Sequence, residues 1–359
     1  MGNIVADRLK ALRASMKEAG ADWYFCTSDD FHGSEFVADY FKVREHYTGF
    51  TGENAFLLLN DTNSYMWTDG RFFIQADIEL KGSGVALMKM GEPDVPAIPD
   101  FLKAALKEGE KLFFDGRMVS TAWGKKLLSI CRENKAELVY DKDLAGDLWQ
   151  DRPSLPSSKI DIYGEEVTGE STASKLKRIR EAMKGRACAN FIGSIDDIAW
   201  ITNMRGRDVE CNPVFLSYML ITEDKAYLFM QDSEVSAEVE AYLLENSIEL
   251  KAYGDVLSFL EGFKYDGSVL LDEASVNFAC YRTISEKAAV LNDINPSKLM
   301  KAVKNKTEIE RLKGAYLRDS VCVTKFCYWL KQTVGKEKLT ELSAAAKMDS
   351  LRAEVADYI

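Results

Sequence analysis

The amino-acid sequence predicts an α/β fold made of two tandem copies of one domain, followed by a region of a different kind. Three observations predict it: an internal repeat, a pair of matching β-hairpins, and a pair of matching buried strands that each end in aspartate. Within each copy, helical and strand patterns alternate along the chain. That alternation is typical of layered α/β domains.

The repeat begins with a helix and a strand. Residues 9–30 align with residues 176–197 without a gap, so each residue has its partner 167 positions further along the chain. In both copies the apolar residues have the spacing of an amphipathic helix, and a short apolar strand then leads into an Asp-Asp pair that we expect to form a turn. The identical pairs are Leu9/Leu176, Lys10/Lys177, Arg13/Arg180, Met16/Met183, Lys17/Lys184, Asp29/Asp196 and Asp30/Asp197.

A hairpin and a buried strand are repeated as well. Two apolar runs flank the polar turn 60–63, and two similar runs flank the turn 223–225, which predicts one hairpin in each copy. Residues 112–115 and 269–272 are apolar runs that end in aspartate. The alternative is that two unrelated domains share a common order of helix, strand and hairpin by chance. Three matching segments in the same order favour the repeat.

Changes in composition predict the domain boundaries. Residues 151–158 combine two prolines with three serines, which can continue neither a helix nor a central strand. A second break comes at residues 295–297. We therefore predict domain I over residues 1–150, domain II over residues 159–296 and a helical third region over residues 299–359. Because the last residues carry no helix cap, we expect the chain to end inside a third domain.

Charge and composition exclude several classes of partner. The net charge of −11 repels phosphate backbones and anionic lipid, so we expect neither nucleic acid nor a membrane as a partner. The chain has no apolar run of the roughly 18 residues that a membrane helix needs, and we expect no secretory signal. Its seven cysteines are scattered, as in proteins of the reducing cytoplasm. Two histidines are too few for a zinc finger or a histidine-based metal cage.

No complete catalytic site can be recognised in the sequence. It lacks a phosphate-binding loop, a dinucleotide fingerprint and a nucleophile elbow. The acidic pairs recur in both copies, which favours a shared turn over catalysis. Three parts of the chain nevertheless contain more aromatic and charged residues than packing requires. They are residues 30–36 with 47–52, residues 67–73, and residues 196–218.

These segments resemble aminopeptidase P, the Xaa-Pro aminopeptidase of the pita-bread, creatinase-like metallopeptidase family, in its long three-domain cytosolic form. The resemblance follows the whole chain in order. The matching motifs are His32-Gly-Ser-Glu-Phe36, Gly49-Phe-Thr-Gly52, Trp67-Thr-Asp-Gly-Arg-Phe-Phe73, Asp151-Arg-Pro153, Asp197-Ile-Ala-Trp200, Arg205-Gly206, Asp208-Val209, Asn212-Pro-Val-Phe215 with Ser217-Tyr218, and Lys301-Ala-Val-Lys-Asn305.

The resemblance implies two tandem creatinase/prolidase N-terminal-like domains, each a mixed sheet flanked by helices, and the first helices of a truncated pita-bread domain. Family members bind two divalent metal ions, usually manganese, through two Asp, one His and two Glu of the third domain. Those ligands lie beyond the end of this chain, so the resemblance implies no catalytic residue and no metal or cofactor here. It also implies short peptides with proline at the second position as substrates, a homodimer, and a cytoplasmic location.

Two motif residues are candidates for substrate binding. Arg71 matches the family arginine that reaches toward the peptide cleft, where its fork of donors can hold a carboxylate or a carbonyl. The alternative for Arg71 is a structural ion pair with Asp69 or with a nearby acid across the turn. His32 is a candidate for contact with the substrate or with a neighbouring subunit, and the alternative is a hydrogen-bonded structural histidine.

One departure from the family pattern concerns the loop at residues 49–55. Family members often have Gly-Phe-Thr-Gly-Ser-Ala-Gly, whereas this chain has Gly-Phe-Thr-Gly-Glu-Asn-Ala, so we expect different polar contacts there. Two other functions stay open. Some pita-bread relatives only bind partners, so the chain could belong to a non-catalytic binding module. A creatinase-like amidinohydrolase is disfavoured, because its chains carry one such N-terminal domain rather than two.

Overall fold

A computed structural model describes residues 2–356 of the chain. These residues form two compact units, one of residues 2–162 with 172–299 and one of residues 163–171 with 300–356. The first unit contains two lobes, lobe I (residues 2–148) and lobe II (residues 172–299). The boundaries proposed from composition stay predictions, and the predicted uncapped end at residues 357–359 lies outside the described residues.

Lobe I is a mixed six-stranded sheet in the order β4-β3-β2-β1-β5-β6 with helices on both faces. Alternate residues of its strands point into two cores: Trp23 and Phe25 pack on one face, and Tyr24 and Cys26 on the other. The strands are β1 (Trp23–Cys26), β2 (Ala55–Asn60), β3 (Ser64–Thr68), β4 (Val85–Lys89), β5 (Lys111–Phe113) and β6 (Glu137–Val139). The helices are α1 (Gly2–Ala19), α2 (Val43–Thr48), α3 (Phe73–Glu79), α4 (Ile98–Ala105), α5 (Thr121–Glu133) and α6 (Leu144–Leu148).

A connecting segment leads to lobe II, whose sheet has the strand order β12-β11-β10-β8-β13-β14. The segment carries β7 (Asp161–Ile162), which pairs with β9 of lobe II, and α7 (Glu165–Thr168). The strands of lobe II are β8 (Ala189–Ile192), β9 (Met204–Arg205), β10 (Tyr218–Thr222), β11 (Ala226–Met230), β12 (Ile248–Ala252), β13 (Val269–Leu271) and β14 (Val290–Asn292). The helices are α8 (Thr172–Met183), α9 (Ile195–Thr202), α10 (Ala237–Glu245), α11 (Val256–Gly262) and α12 (Phe278–Ser285), and α13 (Pro296–Ala302) begins in lobe II and ends in the second unit.

The two lobes confirm the predicted duplication. The predicted hairpins are β2–β3 and β10–β11, and the two buried strands that lead to aspartates are β5 and β13. In each sheet the first strand lies between a hairpin and a parallel strand. The same sequence pattern therefore produces the same strand order twice, and the predicted α/β class with two tandem domains is confirmed.

One part of the repeat differs from the prediction. The first Asp-Asp pair lies in a turn, where Asp30 Oδ1 accepts hydrogen bonds from the backbone N–H groups of His32 (2.8 Å) and Ser34 (2.9 Å). The prediction of a second Asp-Asp turn is wrong, because Asp196 and Asp197 lie in the first turn of α9. Carboxylates are favourable there, since the first N–H groups of a helix carry partial positive charge.

The lobes join through equivalent positions of the two copies. Ser120 and Asn277 form an antiparallel bridge, and each is the N-terminal cap of a helix that follows its central strand. The backbone N–H of Phe278 donates to the carbonyl of Val119 at 2.8 Å. The ring of Phe278 is fully buried in the core of lobe I. Since a side chain of lobe II fills the core of lobe I, the two lobes fold as one body.

The second unit is helical, as the sequence predicts for its C-terminal part. It contains α7, α14 (Lys306–Thr333) and α15 (Glu341–Ala353). The helix expected from Leu299 onward is interrupted before Asn305, which caps α14 by exchanging hydrogen bonds with Glu308. Asparagine at this position satisfies free N–H groups at the helix start and so favours a new helix over a continuous one. Among residues 2–356, no helix has the length and apolar character needed to cross a bilayer.

Candidate functional site

The motif segments of lobe I meet at one edge of its sheet. Strand β2 is antiparallel to both β1 and β3, so the end of β1, the start of β2 and the end of β3 lie at the same edge. The loops that continue from these points are residues 27–36, 49–54 and 69–73. Three of the motifs singled out from the sequence therefore lie next to one another.

A groove of 490 Å³ lies at the first two of these loops, and we call it the lobe I groove. None of its lining residues belongs to the third loop, residues 69–73. Residues of lobe II close one side of it, through Glu210 and Cys211 at the tip of the segment between β9 and β10. Cys211 has a positive φ of 58°, which reflects the tight turn at this tip. The lobe I residues that line the groove include Glu35, Phe36, Lys42, Arg44, Thr51 and Glu53.

Arg44 holds the floor of the groove. Its Nε donates to Ser28 Oγ at 3.1 Å, its Nη2 donates to the carbonyl of Gly52 at 2.5 Å, and its Nη1 donates to the carbonyl of Phe50. Burial lowers the pKa of this guanidinium to about 10, so it remains charged at neutral pH. Arg44 thus fixes the turn at residues 49–52. The sequence offers no signal for this role, because α2 is polar apart from Val43 and Tyr47 and a charged residue within it does not stand out.

The structure explains why the Gly-Phe-Thr-Gly motif has glycine at both ends. Gly49 ends α2 in the left-handed conformation, with φ of 72°. A Cβ on Gly52 would lie 2.3 Å from the ring of Phe50, so no side chain fits there without displacing that ring. The motif therefore specifies a compact turn whose carbonyls point at Arg44.

Arg71 belongs to the third loop, residues 69–73, and lies on the surface. Its Nε and Nη2 donate to Asp69 at 2.9 and 2.8 Å, so the ion pair that was the alternative to substrate binding is present. The Arg71 side chain is 69% exposed, which leaves it accessible to a ligand as well. The neighbouring guanidinium holds the pKa of Asp69 well below its usual range, so this carboxylate is ionised at neutral pH. Substrate binding by Arg71 stays a prediction.

His32 lies elsewhere, in the interface between the lobes. Its Nδ1 is 2.8 Å from the carbonyl of Gly193, its Nε2 is 2.7 Å from the hydroxyl of Tyr253, and the side chain is buried. The ring also packs against Tyr218, a residue of another motif, with 4.4 Å between ring centroids. This environment is that of a structural histidine. Both ring nitrogens are occupied by groups of lobe II. A contact between His32 and substrate is not tested by this geometry and stays a prediction.

The acidic pair next to His32 is also partly buried. Burial and the neighbouring carboxylate of Asp30 raise the pKa of Asp29 to about 6. One oxygen of Asp30 caps the turn, as described above, and the other, Oδ2, is buried without a hydrogen-bond partner among the described residues. These carboxylates belong to the packing of the turn, and neither lines the lobe I groove.

The described residues provide no metal site. Within residues 2–356, no three His, Cys, Asp or Glu side chains come together in a way that could hold a metal ion. The described residues therefore offer no site that fits the two divalent ions, which the resemblance places outside this chain. The absence of metal ligands in the chain as a whole stays a prediction.

Comparisons with known proteins agree with this geometry. Residues 8–141 and residues 151–308 each match a family described as the Creatinase/Prolidase N-terminal domain. Xaa-Pro aminopeptidase 1 of Dictyostelium discoideum is 29% identical over 100% of this chain, which covers 59% of that protein. Aminopeptidase P2 of Arabidopsis thaliana is 31% identical over 97% of this chain, which covers 54% of that protein. The chain thus spans less than two thirds of the length of these relatives.

A solved structure matches both lobes together. The crystal structure of X-prolyl aminopeptidase from Caenorhabditis elegans, described as a cytosolic enzyme with a di-nuclear active site, has a TM-score of 0.88 to this chain at 27% sequence identity. The match covers 98% of this chain and 60% of the C. elegans chain. The chain therefore belongs to the creatinase/prolidase N-terminal domain family, and it carries two copies of that domain in the arrangement seen in an X-prolyl aminopeptidase.

Proposed function

We propose that this chain is the two-lobe, N-terminal part of a metal-dependent aminopeptidase that releases the residue preceding proline from short peptides. One observation carries the proposal: the two lobes together match an X-prolyl aminopeptidase over 98% of the chain. In that protein the active site is di-nuclear. Because residues 2–356 do not bring metal ligands together, we propose that the two ions, manganese by the family resemblance, are held outside this chain.

The chain's own part in the reaction would be to bind and enclose the peptide. Arg71 keeps its Nη1 directed away from Asp69, so it can donate to a peptide carbonyl. The groove beside it, with Phe36 49% exposed, offers an apolar surface next to the charged loops. Holding the peptide here lowers the entropic cost of placing its scissile bond, which is the contribution that a positioning domain makes to catalysis. The bound metal ions would supply the polarisation of the scissile carbonyl.

We also propose a homodimer and a cytoplasmic location. The location is supported by the C. elegans neighbour, which is described as cytosolic. The dimer rests on the family resemblance alone, and light scattering coupled to size exclusion tests it directly. A mass of one chain, 40.4 kDa, across micromolar concentrations would contradict the dimer for this chain.

Hydrolysis of a short Xaa-Pro-Pro peptide with added Mn²⁺ tests the main proposal. We would compare this chain with the product of its complete reading frame, and both with their Arg71→Ala variants. Activity that appears only in the longer product and falls in its Arg71→Ala variant supports the proposal. Activity of the 359-residue chain alone would contradict the claim that the ions are held elsewhere. No activity in either product would overturn the peptidase assignment and favour the non-catalytic binding module.

A further inference from the structure

The loop that departs from the family pattern touches the partner of Arg71. Asn54 Nδ2 donates to Asp69 Oδ2 at 2.8 Å, and the backbone carbonyl of Asn54 accepts a hydrogen bond from Thr68 Oγ1 at 2.6 Å. The second contact fixes the Asn54 backbone to the end of β3, so its side chain is anchored where Asp69 needs a donor. An alanine at this position, as the family often has, could not make the first contact. Asn54 therefore holds the Asp69 carboxylate in place, and Asp69 in turn holds the Arg71 guanidinium.

Asp69 engages only one side of the Arg71 guanidinium. The backbone N–H, Nε and Nη2 of Arg71 all donate to Asp69, at 3.0, 2.9 and 2.8 Å. No residue among 2–356 accepts a hydrogen bond from Nη1. The guanidinium plane also lies over the ring of Phe72, 5.1 Å from its centroid. Arg71 is thus held on one edge and one face, and it presents its other edge to the surroundings.

Two carboxylates act on Arg71. Asp69 neutralises its charge, and Glu53, the neighbour of Asn54, interacts electrostatically with it from the lobe I groove. The groove as a whole is lined by four glutamates, Glu35, Glu45, Glu53 and Glu210, against the two cations Lys42 and Arg44. A ligand carboxylate placed on Arg71 would therefore meet two nearby carboxylates and one guanidinium. A neutral carbonyl oxygen accepts the same hydrogen bond without that repulsion.

We propose that Asn54 and Glu53 make Arg71 a selective donor to peptide carbonyls: Asn54 positions Arg71 through Asp69, and Glu53 disfavours a free carboxylate at the same place. The proposal rests on the proposed function, since it assigns a substrate class to the same site. The favoured substrates are peptides whose chain continues, or whose C-terminus is amidated, at the point of contact with Arg71. The disfavoured ones are peptides that end there in a free carboxylate.

The kinetic test uses the product of the complete reading frame, loaded with Mn²⁺. A tripeptide Xaa-Pro-Ala is offered with a free C-terminus and as its C-terminal amide, and kcat/KM is measured for each. We expect the amide to be preferred, and Glu53→Gln to reduce that preference by about twofold to fivefold, mainly through a lower KM for the free acid, as expected for an exposed charge. Glu108→Gln is the matched control, because it removes an equally negative exposed side chain that pairs with Lys135.

The outcomes separate this proposal from the proposed function. If Glu53→Gln changes the preference no more than Glu108→Gln does, the role of Glu53 is overturned. If Arg71→Ala leaves both peptides unaffected, the proposed function fails at this residue and the selectivity with it. A third outcome is that Arg71→Ala loses activity toward both peptides while Glu53→Gln keeps the preference of the wild type. That result would overturn the selectivity proposed for Glu53 and leave the proposed function in place.

The role of Asn54 has a test that needs no catalysis. The Nε–H of Arg71 gives its own signal in nitrogen–proton spectra, and its hydrogen exchange is slow when Asp69 is held in place. We expect Asn54→Ala to accelerate this exchange severalfold, Asn54→Ser to restore part of the protection, and Glu108→Gln to leave it unchanged. Equal exchange in wild type and Asn54→Ala would overturn the positioning role, whatever the enzyme does.

Discussion

His32 should make the stability of the two-lobe unit depend on pH. The carbonyl of Gly193 can only accept, so His32 Nδ1 carries the proton, and Nε2 is then left to accept from the hydroxyl of Tyr253. A second proton on this ring would replace an accepting nitrogen by a donor in a buried site. Burial accordingly lowers the pKa of His32, while the nearby carboxylates of Asp30 and Asp208 and the Gly193 carbonyl oppose the shift. We predict that His32→Asn removes the part of this pH dependence that His32 contributes.

The sign and size follow from proton linkage. The unfolded chain takes up the proton near the ordinary histidine pKa, whereas the folded chain takes it up only at lower pH. Below that ordinary pKa the unfolded state therefore holds more protons, and the free energy of unfolding falls as the pH falls toward the folded pKa. Between about pH 7.5 and about pH 5.5 one such histidine removes roughly 1.4 kcal/mol of stability. The opposite shift of Asp29 offsets part of this loss in wild type and variant alike.

Urea unfolding of wild type and His32→Asn at the two pH values measures the effect. The substitution is also expected to cost about 1–3 kcal/mol at both, because the Tyr253 hydroxyl loses its partner, so the informative quantity is the difference between the two acid-induced losses. His46 is a second titrating group: burial lowers its pKa to about 4, so it adds an acid-induced loss of its own, and His46→Asn should remove that share while leaving the contribution of His32 in place. If wild type and His32→Asn lose the same stability on acidification, the assignment of a buried, neutral His32 is refuted.

Three further predictions concern packing and thiol chemistry. Gly124→Ala places a methyl group 2.1 Å from the ring of Phe278 and should cost about 1–3 kcal/mol of unfolding free energy. Gly314→Ala in α14 should instead raise the melting temperature slightly, because a Cβ there lies at an ordinary contact distance, 3.5 Å, from Arg318 Nη1. Arg44→Met leaves two turn carbonyls without their donor, so urea unfolding should show a loss of about 3 kcal/mol. With Ellman's reagent, two thiols should react fast in the native protein, Cys211 and Cys327, since these two are exposed.

The fold was predictable because its information is local and present twice. Helical spacing in residues 9–16 and 176–183, and apolar runs that end in aspartate, needed no knowledge of distant contacts. The errors arose where local signals compete. The second Asp-Asp pair begins a helix because apolar Ile198, Ala199 and Ile201 follow it, and these side chains are buried. The break before Asn305 went unseen because helix-compatible residues surround it and a single cap residue decides the boundary.

The site was less predictable because its contacts span long distances in the chain. His32 and Tyr253 are 221 positions apart, and nothing in either segment alone indicates the other. Arg71 and Asp69 could be paired from the sequence because they are neighbours on a short turn. The contact between Asn54 and Asp69 depends on the register of β2 with β3, in which Ala55 lies opposite Thr68. The loops of the site could therefore be predicted from the sequence, whereas the contacts between their side chains depend on the pairing of the strands.

The duplication also explains why the two copies have different tasks. The loop after β1 in lobe I and the residue after β8 in lobe II are equivalent, yet they contact each other through His32 and the carbonyl of Gly193. A Cβ on Gly193 would lie 2.5 Å from the carbonyl oxygen of Ser275, so this position cannot accept a larger residue without disturbing lobe II. In lobe II, the residue that follows β8 thus supports lobe I through its contact with His32. In lobe I, the loops at the corresponding end of the sheet line the groove and leave Arg71 accessible. Substitutions at this edge in lobe II should therefore reduce stability, whereas those at Glu53 or Asn54 should change ligand preference with little effect on folding.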